Sequence, residues 1–166
     1  MSGADAILHP IPGVSRAHVT ARSDEAVLKA LSDLLLARRA VAPTFFRSVL
    51  AREREYPTGL PTPIPTAIPH TDAEHVLTPG IAVVTLDEPV TFAQMGAPEK
   101  FLPVRLVVML LLTDPTGQVE ALQNMLTHLR DEKGVQAVMG ARNDQALEQQ
   151  VIRWLDSGPG AAAPRP

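Results

Sequence analysis

Residues 104–112 read Val104-Arg105-Leu106-Val107-Val108-Met109-Leu110-Leu111-Leu112, with Pro103 before them and Asp114-Pro115 soon after. The unbroken apolar part, 106–112, falls far short of the ~18 residues that span a bilayer, and its Pro and Asp borders are those of a strand buried on both faces. Residues 80–86, Gly-Ile-Ala-Val-Val-Thr-Leu, have the same character. Pro89-Val90-Thr91-Phe92 reads as an edge strand, since Pro has no N–H to give to a central ladder.

Helical patterns surround these runs. Ser23 supplies a cap, Asp24 and Glu25 fill the first turn, and Val27, Leu31, Leu34 and Leu35 recur at helical spacing until Arg38 and Arg39. A second helix starts near Pro43-Thr44, turns Phe45, Phe46, Val49 and Leu50 inward, and runs into Arg52-Glu53-Arg54-Glu55 before Tyr56-Pro57-Thr58-Gly59 ends it. Residues 116–130 place Val119, Leu122, Met125, Leu126 and Leu129 on one face, and 145–154 repeat the pattern with Leu147, Val151 and Trp154 or Leu155. Strands lying between helices in this way define a layered α/β domain, though not a strict βαβ alternation.

A chain of 166 residues holds one such domain and not two. Its 45% hydrophobic and 20% charged content is globular, which excludes wholesale disorder. With 15 Lys and Arg against 18 Asp and Glu, the net charge of −3 gives no footprint for nucleic acid or an anionic membrane. The absence of Cys removes disulfides, thiolate zinc sites and a cysteine nucleophile, and suits a reducing cytoplasm. The first residues lack a basic stretch followed by an apolar core, so a cytoplasmic protein with no membrane insertion is expected. The expected organisation is an N-terminal extension at 1–4, the domain at 5–156, and a Pro- and Ala-rich mobile tail at 157–166.

The glycine-rich nucleotide loops, Gly-x-Ser-x-Gly and His-Glu-x-x-His are all missing, and attention falls on five histidines. His70 has the stiffest setting, Ile64-Pro65-Thr66-Ala67-Ile68-Pro69-His70-Thr71-Asp72. Pro69 forces Ile68 out of the α region, so residues 66–68 are extended and His70 sits where a strand gives way to a loop. A neutral imidazole, with an ordinary pKa of ~6.5, keeps a lone pair at pH 7 and attacks phosphorus without a separate base. Arg52 is the cation suited to balance the phosphoryl charge, because its guanidinium fork matches phosphate oxygens.

The strings Arg52-Glu53-Arg54-Glu55-Tyr56-Pro57-Thr58-Gly59-Leu60, Ile68-Pro69-His70, Pro89-Val90-Thr91-Phe92 and 104–110 resemble, in order, the fructose/mannitol-type (type 2) enzyme IIA domain of the bacterial phosphoenolpyruvate-dependent sugar phosphotransferase system. The resemblance covers roughly residues 5–156, and Arg-Glu-x-x-x-Pro-Thr-Gly together with Ile-Pro-His is far more specific than either string alone. It implies a mixed β-sheet flanked by helices on both faces. It also implies a phosphocarrier whose His70 becomes a tele-phosphohistidine beside Arg52. The donor would be the histidine-containing phosphocarrier protein and the acceptor a cysteine on a cognate enzyme IIB, which serves a membrane enzyme IIC. No cofactor and no metal are implied.

One departure stands out. Many members carry a second histidine at the start of the helix after the long apolar strand, where this chain has Gln118. The galactitol-like branch resembles this chain in having Gln there and a histidine five residues after the nucleophile, here His75. A Gln amide donates to a phosphoryl oxygen but carries no charge.

The remaining features have plainer readings. A metal site from His70, Asp72, Glu74 and His75 is not expected, since ligands so close on one loop rarely close a tetrahedral shell. His9, His18 and His128 read as packing or solvated residues, with His128 on the polar side of its helix. Pro57-Thr58-Gly59 reads as a helix stop or, through Thr58, as a further phosphate contact. Met95 is either a docking residue or core. A nitrogen-type regulatory enzyme IIA, whose phosphorylation controls a partner protein, is the alternative function.

Overall fold

The computed structural model describes residues 8–157. The expected extension at 1–4 lies outside the described residues, as does the expected tail except for Ser157, which closes the last helix. Two long strands, β4 (Gly80–Gln94) and β5 (Ala97–Leu111), dominate the architecture and form one antiparallel hairpin. Its turn is Met95-Gly96, where Gly96 takes a φ of 76° that costs a residue without Cβ little.

The two separate strands expected at 80–86 and 89–92 are thus one. Pairing runs from Gly80↔Leu111 to Thr85↔Leu106, slips, and resumes at Val90↔Val104. Pro89 falls in that slip, where a missing N–H breaks no ladder bond. Three short strands complete the sheet: β1 (Arg16–Val19) lies parallel to β4, β3 (Thr66–Ala67) lies parallel to β5, and β2 (Gly59–Leu60) is antiparallel to β3. Gly59 of β2 also pairs with Gln94 near the hairpin tip. The sheet is therefore mixed, in the order β1-β4-β2-β3-β5 with β4 and β5 also paired.

The alternation of β4 and β5 builds two cores. On one face Ala82, Val84, Leu86, Phe92, Val107, Met109 and Leu111 meet α1 (Asp24–Ala37) and α2 (Phe45–Glu55). On the other, Ile81, Val83, Leu106, Val108 and Leu110 meet α3 (Gln118–Leu129), α4 (Glu132–Met139) and α5 (Asp144–Ser157). Burying each such side chain contributes roughly 1.5–3 kcal/mol. The layered α/β reading and the helices on both faces agree with this arrangement.

Two local expectations are corrected. Val119 is exposed, and the buried stripe of α3 is Ala121, Met125, His128 and Leu129, flanked by Leu122 and Leu126. His128 is consequently buried rather than on a polar face. Its Nδ1 lies 2.9 Å from the Asn124 carbonyl oxygen, and its ring meets Trp154 edge-on at 5.7 Å. The short α4, absent from the sequence reading, folds back after α3 and buries Val135 and Val138, adding to the layer formed with α5. The N-terminal stretch is fastened to α5 by His9 to Asp156, Gly13 N–H to Glu148 and Ala17 N–H to Asp144.

Candidate active site

Three segments converge on His70. The first is its own. After β3 the chain runs extended through Ile68 and Pro69 beside β5, where the Leu110 N–H donates to the Pro69 carbonyl at 2.9 Å. His70 is 8% exposed, and its Nδ1 lies 2.9 Å from the Ile68 carbonyl oxygen. A carbonyl only accepts, so Nδ1 carries the proton and Nε2 keeps the lone pair. Burial pushes the imidazole below its ordinary 6.5, and the Arg52 charge pushes the same way against the Ile68 carbonyl and Asp72. The ring is therefore neutral at pH 7, with Nε2 its nucleophilic atom.

The second segment is α2. Thr44, Ser48 and Arg52 recur every four residues and form one stripe facing residues 71–75. The Ser48 hydroxyl bonds the Thr71 hydroxyl, the Arg52 guanidinium lies 3.4 Å from Asp72 Oδ1, and Thr44 Oγ1 lies 2.7 Å from His75 Nδ1. The Arg52 guanidinium carbon also sits 5.8 Å from the centre of the Tyr56 ring. Among the described residues the bond to Asp72 is the only hydrogen bond the Arg52 side chain makes, and it is a long one, so most of the fork is available to an incoming anion.

The third segment is the turn after α2. Glu53 follows Phe45 and Val49 on the buried stripe of that helix and is 5% exposed. Its Oε2 accepts the Thr58 N–H and its Oε1 the Thr58 O–H, each at 2.7 Å. Thr58 Oγ1 in turn accepts the Ile68 N–H at 3.2 Å. Gly59 is required next, because a Cβ there would stand 2.5 Å from the Ala93 carbonyl oxygen. The Thr58 hydroxyl, expected as a phosphate contact, here gives its proton to Glu53, and the residue is 3% exposed. Sequence reasoning did not single out Glu53, although its place four residues after Val49 marks it as inward.

Burial raises the Glu53 carboxyl to about 7, against the two Thr58 donors, which favour the charged form, and with a minor contribution from Asp24. From the ordinary 4.5 to about 7 the folded chain holds more protons here than the unfolded chain, so stability falls as pH rises through that window and levels off above it. The shift corresponds to on the order of 3 kcal/mol across the window. Urea unfolding of Glu53→Gln at pH 5 and pH 8 is expected to show that part of the pH slope removed; a slope equal to that of the wild type would contradict it.

Of the other expected site residues, His75 ends a 3₁₀ turn (Ala73–His75), with Nε2 3.7 Å from Glu74 and its carbonyl accepting the Ala42 N–H. Gln118 is half-buried at the first position of α3, after a turn in which Asp114 accepts both the N–H and the O–H of Thr116. Those donors hold the Asp114 carboxyl below its ordinary range. Among the described residues no hydrogen bond joins His70 to His75 or to Gln118. Met95 stands half-exposed in the hairpin turn, its N–H bonded to the Gly59 carbonyl.

His70, neutral and with no hydrogen bond at Nε2 among the described residues, thus lies near Arg52 of the adjacent helix, within a mixed sheet between two helical layers. The family described as Phosphoenolpyruvate-dependent sugar phosphotransferase system, EIIA 2, matches residues 13–153, and the chain belongs to it. The PTS system galactitol-specific EIIA component of Escherichia coli (strain K12) is 28% identical over 132 residues, covering 79% of this chain and 87% of that protein. Among solved structures, enzyme IIA of mannitol in its complex with phosphorylated enzyme IIB from Escherichia coli is similar with a TM-score of 0.68 at 19% identity, covering 90% of this chain and 99% of that one. The nitrogen regulatory protein IIA-Ntr of Neisseria meningitidis is similar with a TM-score of 0.60 at 23% identity, covering 90% and 99%. The two structures establish the likeness of fold.

Proposed function

We propose that this chain relays a phosphoryl group through Nε2 of His70, from the histidine-containing phosphocarrier protein to a cysteine on a cognate enzyme IIB that supplies a membrane enzyme IIC. The observation that carries the reading is the 2.9 Å approach of His70 Nδ1 to the Ile68 carbonyl oxygen, which assigns the proton to Nδ1 and leaves Nε2 to attack. In the first transfer the Nε2 lone pair forms the new N–P bond as the bond between phosphorus and the donor's imidazole breaks, and that imidazole leaves with the electron pair. In the second, a thiolate sulfur takes the phosphoryl group and the lone pair returns to Nε2. Arg52 offsets the charge on the phosphoryl oxygens. Both exchange partners are proteins, which suits a site at the surface with interfaces small enough for turnover.

Transport of a galactitol-like polyol or sugar is favoured over regulation by the likeness to the galactitol-specific component, together with Gln118 and His75. Among the described residues no helix is long and apolar enough to cross a membrane, consistent with a membrane step carried out by a partner. The test is reconstitution. Phosphoenolpyruvate and the two general phosphotransferase proteins are expected to load one acid-labile, alkali-stable phosphoryl group, which a galactitol-type enzyme IIB then removes. Loading without removal by any cysteine-bearing enzyme IIB would favour the regulatory role.

Gln118 and His75 compete for the place of the second histidine. A neutral amide bond to the phosphoryl group is worth roughly 0.5–1.5 kcal/mol, so Gln118→Ala is expected to slow transfer by about threefold to tenfold. His75 already bonds Thr44 and lies near Glu74, and His75→Ala is expected to have the smaller effect. Quenched-flow transfer rates of the two variants decide between them; a larger loss in His75→Ala than in Gln118→Ala would assign the role to His75.

A further inference from the structure

We propose that Glu53 is a positioning residue for the His70 imidazole, acting through Thr58 and Ile68. The bonds form an unbroken series: Glu53 accepts the Thr58 hydroxyl proton, Thr58 Oγ1 accepts the Ile68 N–H, and the Ile68 carbonyl accepts the His70 Nδ1–H. Above its pKa of about 7, as at pH 8, the Glu53 carboxylate can only accept, so the Thr58 hydroxyl points its proton at Glu53 and turns a lone pair to Ile68.

The Ile68 carbonyl then has one place to go. Its peptide nitrogen belongs to Pro69, which has no N–H and a fixed φ, and the Pro69 carbonyl is held by Leu110 N–H. Anchoring Ile68 at its N–H through Thr58 therefore sets where its carbonyl meets the imidazole. The Thr58 N–H to Glu53 Oε2 bond locks the same turn a second time. All the polar groups in the series are buried, where hydrogen bonds polarise one another and a broken one is costly. Glu53 does not touch the reacting atoms, since its carboxyl is closed off by Thr58.

The consequence is read on His70 itself. A free histidine in water favours the tautomer with the proton on Nε2, which has no nucleophilic lone pair there; the series holds the opposite one. The rate readout rests on the phosphocarrier reading, whereas the tautomer readout does not. The experiment uses the full chain with ¹⁵N-labelled histidine, and two-bond ¹H–¹⁵N correlation spectra of the unphosphorylated protein at pH 8. The wild type is expected to show His70 protonated at Nδ1.

Glu53→Gln and Thr58→Val are expected to move His70 toward a mixture of tautomers and to slow phosphoryl uptake by about fivefold to tenfold, while Thr58→Ser keeps the wild-type spectrum and rate. Should Glu53→Gln fail to fold, Thr58→Val, which removes one hydroxyl at nearly constant volume, decides the matter. A wild-type His70 spectrum in a folded Thr58→Val protein overturns the proposal. A shifted tautomer in the variants, with a wild-type protein that takes up no phosphoryl group, leaves the positioning role standing and overturns the phosphocarrier reading instead.

Discussion

His70→Ala takes up no phosphoryl group from the histidine-containing phosphocarrier protein under conditions that load the wild type fully. The expectation follows from the one imidazole nitrogen of His70 that no hydrogen bond among the described residues occupies: Nδ1 is spent on Ile68, and Arg52 bonds Asp72 nearby in place to receive an anion. The neighbouring hydroxyls do not substitute. Ser48 and Thr71 are bonded to each other, and Thr58 gives its proton to Glu53. Loss of a largely buried ring leaves a small cavity, so circular dichroism and thermal melts accompany the labelling to show a folded variant. Labelled phosphate retained at the wild-type level in His70→Ala would show that another residue carries it.

Arg52→Lys keeps the positive charge and loses the planar fork, and transfer is expected to slow by roughly tenfold or more, about 1.4 kcal/mol in barrier. The fork matters because one of its nitrogens already faces Asp72 and its plane lies near the Tyr56 ring, which leaves the remaining N–H groups aimed as a set. An ammonium on a flexible stem has no such preset direction. The fold should not suffer, since Arg52 is a half-exposed residue whose pair with Asp72 is solvated and worth little. Rapid-quench rates equal to the wild type would reduce Arg52 to an ordinary helix-end charge.

The elements legible in the sequence were those whose periodicity a single face imposes. The cap at Ser23, which accepts the Ala26 N–H, and the stripe of Leu147, Val151, Trp154 and Leu155 on α5 were both readable because each lies on one uninterrupted helix. The hairpin was read as separate strands because Pro89 and the charged pair Asp87-Glu88 interrupt its apolar pattern, while the ladder simply slips past them. Strands β1 to β3 are two to four residues long, too short to show any period. His128 looked polar from its neighbours in sequence; its burial depends on α5, whose Trp154 meets it from a distant part of the chain.

Within the site, Arg52 and His70 were singled out by the stiff setting around Pro69 and by the resemblance of the strings that hold them. Their mutual arrangement was not legible. The Thr44, Ser48 and Arg52 stripe pairs with residues from Thr71 to His75, and only the fold sets those two segments face to face. The Glu53 and Thr58 pair was present in the sequence as an acid on an apolar stripe five residues before a threonine, but a charged run at a helix end is ordinarily solvated and hides it.

The most direct test of the relay is to find which atom bears the phosphoryl group. The protein with ¹⁵N-labelled histidine, phosphorylated by its donor and observed by ¹H–¹⁵N correlation at alkaline pH, where phosphohistidine persists, reports each ring nitrogen of His70 separately. The bonding of Nδ1 to the Ile68 carbonyl predicts that phosphorus sits on Nε2, read as ¹⁵N–³¹P coupling at that nitrogen, and that Nδ1 bears none. Phosphorylation at Nδ1, or at a residue other than His70, would contradict it.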